Sequence, residues 1–205
     1  MVNSEILRLF PTAVGIYDLN RKLSKKEISF FRQLDYKPNM GNTTSVNTVV
    51  CNDKALEKLT EFFNKSLKHY CRFTFDFSTD IEIYITQSWT NRTTQNQYHH
   101  RHSHQNSLIS GVFYISSDED DKIQFINDDR LSNGRFDFQT YGINDFNCRN
   151  YWLPTPECRL ILFPSPLEHE VTIKEGEKLR ESLAFNTFMR GKIGSTEELT
   201  ELTLL

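Results

Sequence analysis

Apolar residues follow two different periods along this chain, one near its start and another over the remainder. Residues 53–70 (DKALEKLTEFFNKSLKHY) carry Leu56, Leu59, Phe62, Phe63, Leu67 and Tyr70 at helical spacing, so one face is apolar and the other charged. A second helix is predicted over 24–35 (SKKEISFFRQLD), where Ser24 serves as N-cap and Glu27 completes a capping box. Ahead of it, residues 5–18 read as a short extended segment broken at Pro11, and the Asn- and Thr-rich stretch 36–52 reads as loop. After Cys71 the character changes. To about residue 188 the apolar residues come in short runs of Ile, Phe, Val and Tyr separated by polar turns, which predicts strands. Helices first and many short strands afterwards predict a mainly β (α+β) chain: a β-sandwich or jelly roll with N-terminal helices packed on one sheet. There is no internal repeat and no low-complexity linker. The expected organisation is one domain over 1–205, with an N-terminal strand and supporting helices (1–75), a β-rich core (80–190) and a tail (191–205). That tail, STEELTELTLL, has helical character and suits either packing in cis or docking on a neighbouring subunit.

Composition narrows the function more than the fold. A chain of 205 residues is large enough to bury a core, and its 16 Phe and 8 Tyr favour a β-rich one. A net charge of −3 offers no basic face for nucleic acid. Cys51, Cys71, Cys148 and Cys158 have no close spacing and read as reduced thiols. The opening MVNSEILRLF lacks the layout of a secretion signal and has Val2 where myristoylation needs glycine. No apolar run approaches the ~20 residues of a membrane span. A cytoplasmic protein is expected, in which the sequons at Asn42, Asn64 and Asn91 carry no sugar.

The candidate chemistry lies with the histidines. His99, His100, His102 and His104 fall within YHHRHSHQNSLISGVFYI, and His169 ends the apolar run of ILFPSPLEHEV. If their segment is extended, His102 and His104 leave one face of a strand, and two neutral imidazoles so placed suit Zn, Fe, Cu or Ni. A His-rich loop that simply meets water is the alternative for an isolated HxH. The HxH, however, runs directly into a buried-looking strand, and a jelly roll brings distant strands side by side. Beyond His169 the chain reads HEVTIKEGEKLRESLAFNTF, two strand-like runs around Glu175-Gly176. A two-residue turn there would set Ser182 opposite His169 and Arg180 opposite Val171, on the face of the histidine. Arg180 in that place can grip a carboxylate through two parallel hydrogen bonds and Ser182 can add a third. Otherwise Arg180 is a surface residue paired with Glu175 or Glu177.

Together, HxHxxSxxSGVFY, LILFPSPLEHEV and RESLAFN resemble the 2-oxoglutarate/Fe(II) oxygenases related to prolyl 4-hydroxylases, a group found widely in bacterial and phage genomes. The resemblance covers residues 85–188, with the order and spacing of the three motifs retained. It implies a double-stranded β-helix (jelly-roll, cupin-like) fold and an Fe(II)-dependent dioxygenase. Such an enzyme uses O₂ to hydroxylate a C–H bond while 2-oxoglutarate becomes succinate and CO₂. Carried over by position, His102, His104 and His169 are the iron ligands, and Arg180 with Ser182 binds the distal carboxylate of 2-oxoglutarate. The Trp89-Thr90-Asn91 stretch matches a pocket-lining strand. Asn91 and Tyr114 are then further cosubstrate-facing residues, and Asn186 also turns inward.

This sequence departs from the family at one ligand, having His104 where most members have a carboxylate. Three neutral ligands leave the metal its full charge, to be balanced by a dianionic cosubstrate. They also describe a zinc site of three His plus water. Carboxylates nearby do not offer a replacement: Glu168 and Glu170 should face away from His169, and Asp118–Asp121 reads as a solvated hairpin loop. His99 and His100 are expected at a solvated rim or orienting a ligand. Two other functions fit less of the pattern: a zinc hydrolase or cupin-like enzyme without 2-oxoglutarate, and a non-catalytic binding module. The primary substrate, whether protein, peptide or small molecule, is not legible. The polar stretch 127–150 is the candidate lid that selects it, with Phe136, Phe138 and Tyr141 read as packing residues.

Overall fold

The computed structural model describes residues 4–76, 80–126 and 139–205. Its elements in chain order are β1 (Gly15–Asp18), α1 (Lys25–Gln33), β2 (Tyr36–Pro38), β3 (Thr43–Ser45), α2 (Glu57–Thr74), β4 (Ile81–Thr93), β5 (His99–His102) and β6 (Ile109–Ser116). There follow β7 (Lys122–Ile126), β8 (Asn150–Pro154), β9 (Arg159–Pro164), β10 (Glu168–Val171), β11 (Arg180–Ile193) and β12 (Leu202–Leu204). One sheet runs β1-β9-β6-β11-β4-β3-β2, with β12 added to the far end of β11, and a second sheet runs β5-β10-β7-β8. Facing sheets of this kind, with neighbours distant in sequence, are the jelly roll that the motifs imply.

Alternation along the central strands explains why they read as nearly unbroken apolar runs. Ile109, Phe113, Leu160, Leu162, Leu183 and Phe185 turn one way and join Phe31, Leu59, Phe63, Leu67 and Tyr70 of the helices. Val112, Tyr114, Ile161, Phe163 and Ala184 turn the other way and meet Ile123 and Phe125 of the second sheet. Both faces of the large sheet are therefore covered, and apolar residues are selected at odd and even positions alike. Phe63 anchors the helical layer, its ring lying 5.2 Å from Phe185 and 5.4 Å from Phe113. The predicted capping box of α1 is present, with Ser24 Oγ accepting from the Glu27 amide while Glu27 Oε2 accepts from the Ser24 amide. Arg21 pairs with the same Glu27 at 2.7 Å, which explains how a carboxylate can be buried at a helix start.

Several expectations need correction. The 36–52 stretch is not only loop, because β2 and β3 pair there and extend the large sheet through Thr43 and Thr44 against β4. The tail is not helical: Leu202–Leu204 pairs in cis with Gly191–Ile193, which satisfies its backbone as a strand. Asp118–Asp121 is not a purely solvated loop. Lys174, with a side chain only 1% exposed, is held by Asp118 at 2.9 Å and by Asp121 at 3.1 Å. The four cysteines are unpaired, and burial pushes the Cys51 and Cys71 thiols up to about 11. Among the described residues, no helix is long and apolar enough to cross a membrane. Of the candidate lid, Phe136 and Phe138 lie outside the described residues, while Tyr141 is fully exposed and packs on no core.

The largest correction concerns the strands after His169. They do not form a hairpin about Glu175-Gly176. β10 belongs to the small sheet, between β5 and β7, whereas β11 belongs to the large sheet, between β4 and β6. The intervening residues pass from one sheet to the other, pinned by the Lys174 ion pairs and by backbone bonds of Lys174 to Asn96 and Gln97. Ser182 accordingly stands opposite Asn91 and Tyr114 rather than His169, and Arg180 opposite Thr93.

Candidate active site

The two sheets carry two different sets of polar side chains toward one cleft between them. The small sheet and the chain beyond β5 supply His102, His104 and His169, and the large sheet supplies Trp89, Asn91, Tyr114, Arg180 and Ser182. On the small sheet, His102 and His169 are direct cross-strand partners. His104 is not on the strand with His102, since β5 ends at His102. It is placed instead by its backbone N–H, which donates to the Ser165 carbonyl at 3.0 Å. The serines of the surrounding motifs hold that turn. Ser165 Oγ donates to Ser107 Oγ at 2.7 Å and lies 2.8 Å from Ser110 Oγ, so the strand entering His169 is tied to the loop leaving His104.

The three imidazoles present nitrogens that all lie within 4.8 Å of one another. His102 Nδ1 donates to the His100 carbonyl at 2.7 Å, and His169 Nδ1 donates to the Leu167 carbonyl at 3.0 Å. A carbonyl only accepts, so both protons are fixed on Nδ1 and both Nε2 lone pairs are left for a metal. His169 Nε2 lies 3.3 Å from His104 Nε2. Burial is the main force disfavouring the charged rings, followed for His104 and His169 by mutual repulsion. It pushes His104 down to about 4 and lowers His102 and His169 as well. Neutral, converging imidazoles are what a divalent transition metal requires. Glu168 pairs with Arg101, and Glu170 borders the cleft, but neither is part of the histidine cluster.

Across the cleft the polar groups lack partners. Arg180 is 5% exposed, yet its Nε and Nη1 make no hydrogen bond among the described residues, and neither do Tyr114 OH and Asn91 Oδ1. The guanidinium lies 5.6 Å from the centre of the Tyr114 ring. Burial pushes the Tyr114 hydroxyl up to about 12, so it stays protonated and able to donate. A buried, unpaired guanidinium costs several kcal/mol and is retained where an anion completes it. The donor set therefore fits a carboxylate ligand on the large sheet and a metal on the small one.

A family model described as "Putative 2OG-Fe(II) oxygenase" matches residues 87–186, which hold all three motifs. Over these residues the chain is similar to the 2-oxoglutarate/Fe(II) oxygenases. This oxygenase is thus a non-haem iron enzyme that uses 2-oxoglutarate as cosubstrate. No curated protein matches its sequence. Its fold is similar to that of HygX from Streptomyces hygroscopicus, solved with nickel, 2-oxoglutarate and hygromycin B, at 12% identity and a TM-score of 0.57, covering 86% of this chain and 82% of that one. It is similar also to a Pseudomonas putida prolyl-4-hydroxylase (9% identity, TM-score 0.52, 85% and 92% covered). A third likeness is a Trichoplax adhaerens prolyl hydroxylase in complex with a hypoxia inducible factor peptide fragment (10%, 0.56, 84% and 83%). At such identities these relatives show the fold.

Within this oxygenase, every anticipated site residue borders the one cleft: His102, His104, His169, Arg180, Ser182, Asn91 and Tyr114. Thr90 does not, pointing away to bond Tyr36 Oη at 2.7 Å, and Asn186 is occupied by Ser110 Oγ at 3.1 Å. His99 was expected at a solvated rim. It borders the cleft instead, and burial pushes its ring down to about 3. The only signal for that in the sequence is its place three residues ahead of His102, which a strand with an irregular register does not translate into a face.

Proposed function

We propose that this oxygenase hydroxylates a C–H bond of a peptide or small-molecule substrate, with His102, His104 and His169 holding the iron. Arg180 and Ser182 bind the distal carboxylate of 2-oxoglutarate, and Tyr114 and Asn91 complete the polar wall around it. The observation that carries this reading is the buried, unpaired Arg180 guanidinium across the cleft from three neutral imidazoles. Iron and 2-oxoglutarate bound there supply, with O₂, the oxidation that inserts one oxygen into the C–H bond and releases succinate and CO₂.

The protein's own residues do the rest. The carbonyls of His100 and Leu167 hold two ligand rings in the tautomer that exposes Nε2. Three neutral ligands leave two positive charges at the metal, and Arg180 adds a third. A dianionic cosubstrate held by these residues would neutralise two of these, so its binding would be favoured by charge as well as by hydrogen bonds. Val112, Ile123 and Ala184 form the apolar part of the wall and exclude water from the cleft. Trp89, with its ring 5.8 Å from that of His104, covers the metal side.

The test is the release of succinate from 2-oxoglutarate in air by Fe(II)-loaded protein, without any primary substrate. Slow release that is abolished in His169→Ala supports the assignment. Release unchanged in His169→Ala would remove this histidine from the metal centre.

A further inference from the structure

His99 begins β5 on the same cleft wall as His102, and its ring stacks on that of His102 at 4.8 Å with an interplanar angle of 16°. Its outer edge is held from outside the cleft. Asn42 Nδ2 stands 3.2 Å from His99 Nδ1 and 3.4 Å from Thr93 Oγ1. Asn42 is 4% exposed, and its amide is oriented by Asn39, whose Nδ2 donates to Asn42 Oδ1 at 3.1 Å. An amide nitrogen only donates, so His99 Nδ1 accepts and the ring proton sits on Nε2. That Nε2–H is the edge away from Asn42, and it meets no acceptor among the described residues. Thr93, which shares the Asn42 amide, is the strand partner of Arg180. His99 and Arg180 line the same cleft, close enough for the guanidinium charge to act on the imidazole.

A carboxylate offers about four acceptor positions, of which a guanidinium fills two. In a cleft with little water the others need donors, which Ser182, Tyr114 and His99 on the same wall can share. We propose that His99 is a further cosubstrate-binding residue, its Nε2–H donating to the carboxylate gripped by Arg180 and Ser182, with Asn42 setting the tautomer. A neutral donor adds a hydrogen bond without adding a second buried cation beside Arg180. The inference rests on the cosubstrate reading of this cleft given above.

The experiment is calorimetric titration of 2-oxoglutarate into Ni(II)-loaded protein, with the Ni(II) affinity of each variant measured separately. H99F keeps a flat ring for stacking on His102 but has no donor. It should weaken 2-oxoglutarate about tenfold, as loss of one hydrogen bond to a charged group does, and leave Ni(II) affinity within about twofold. H99Q returns an N–H near the Nε2 position and should restore most of the loss, whereas the shorter H99N should not. Unchanged 2-oxoglutarate binding in H99F and H99N overturns the proposal. So does a parallel fall in Ni(II) and 2-oxoglutarate affinity, which would assign His99 to supporting His102. Should H99F fail to fold, as its melting curve will show, the comparison of H99Q with H99N decides on the same criteria. R180A separates the two levels of the argument: loss of binding there with none in the His99 variants removes only His99, while full binding in R180A removes the cosubstrate reading itself.

Discussion

His102 and His169 stand opposite each other across paired strands of the small sheet, their ring centres 4.3 Å apart. Neither ring can turn freely, because each donates through Nδ1 to a carbonyl two residues before it. The proposed metal site is thus built into strand pairing. His102→Ala or His169→Ala should lose more than the 10–100-fold in metal affinity that removal of an orienting group costs. Competition titration with a chelator, followed by the melting temperature in excess Mn(II), measures this, and the metal-free folds should remain intact.

Acidity should unfold the metal-free protein earlier than its composition suggests. His104 titrates near 4 in the fold against 6.5 when exposed, and His102 and His169 are also lowered. The unfolded chain then binds more protons than the folded one below about pH 6.5, so stability is fully present above that value. It is lost progressively as pH falls toward 4. Melting temperatures of metal-free protein between pH 7.5 and about 4.5 should fall, and His104→Gln should flatten that slope.

Lys174 holds the crossover between the sheets, and its removal strands the buried Asp121. Lys174→Met should cost about 3 kcal/mol by analogy with other broken buried pairs. Urea unfolding measures it. Adding Asp121→Asn to Lys174→Met should recover part of the loss, since the stranded charge is then gone.

Gly111, in the SGVFY motif, faces Phe185 on the neighbouring strand so closely that a Cβ there would strike the phenyl ring. Gly111→Ala should destabilise by about 2 kcal/mol through overpacking. Phe185→Leu in the same chain should relieve some of that cost. Purely additive losses, read from the same unfolding curves, would place the strain elsewhere.

The site was legible where the chemistry is carried by residue type and spacing, and illegible where it depends on the path of the chain. HxH, the distant His169 and the Arg180-Ser182 pair all reached one cleft. The hairpin drawn between β10 and β11 was wrong, however, because local turn chemistry at Glu175-Gly176 cannot register that Lys174 is buried between two sheets. Arg180 and Ser182 still border the cleft of the three histidines, but from the opposite sheet, so the expected juxtaposition survives with a different geometry. Asn42 and His99 were missed for a related reason. An Asn-rich loop and an extra histidine have no periodicity, and only their burial against Thr93 and His102 gives them a role. The serines at 107, 110 and 165 belong to the motifs, and their function as ties beneath His104 appears only when the strands are paired.

In the proposed site, metal and cosubstrate occupy facing walls of one cleft, joined by Arg180. Thermal melting of metal-stripped protein, with Mn(II), 2-oxoglutarate, both or neither, tests it most directly in the wild type and Arg180→Ala. 2-Oxoglutarate should raise the melting temperature only when Mn(II) is present, and Arg180→Ala should abolish this increment while keeping the response to Mn(II) alone. Stabilisation by Zn(II) with no response to 2-oxoglutarate in any combination, or an undiminished response in Arg180→Ala, would contradict it.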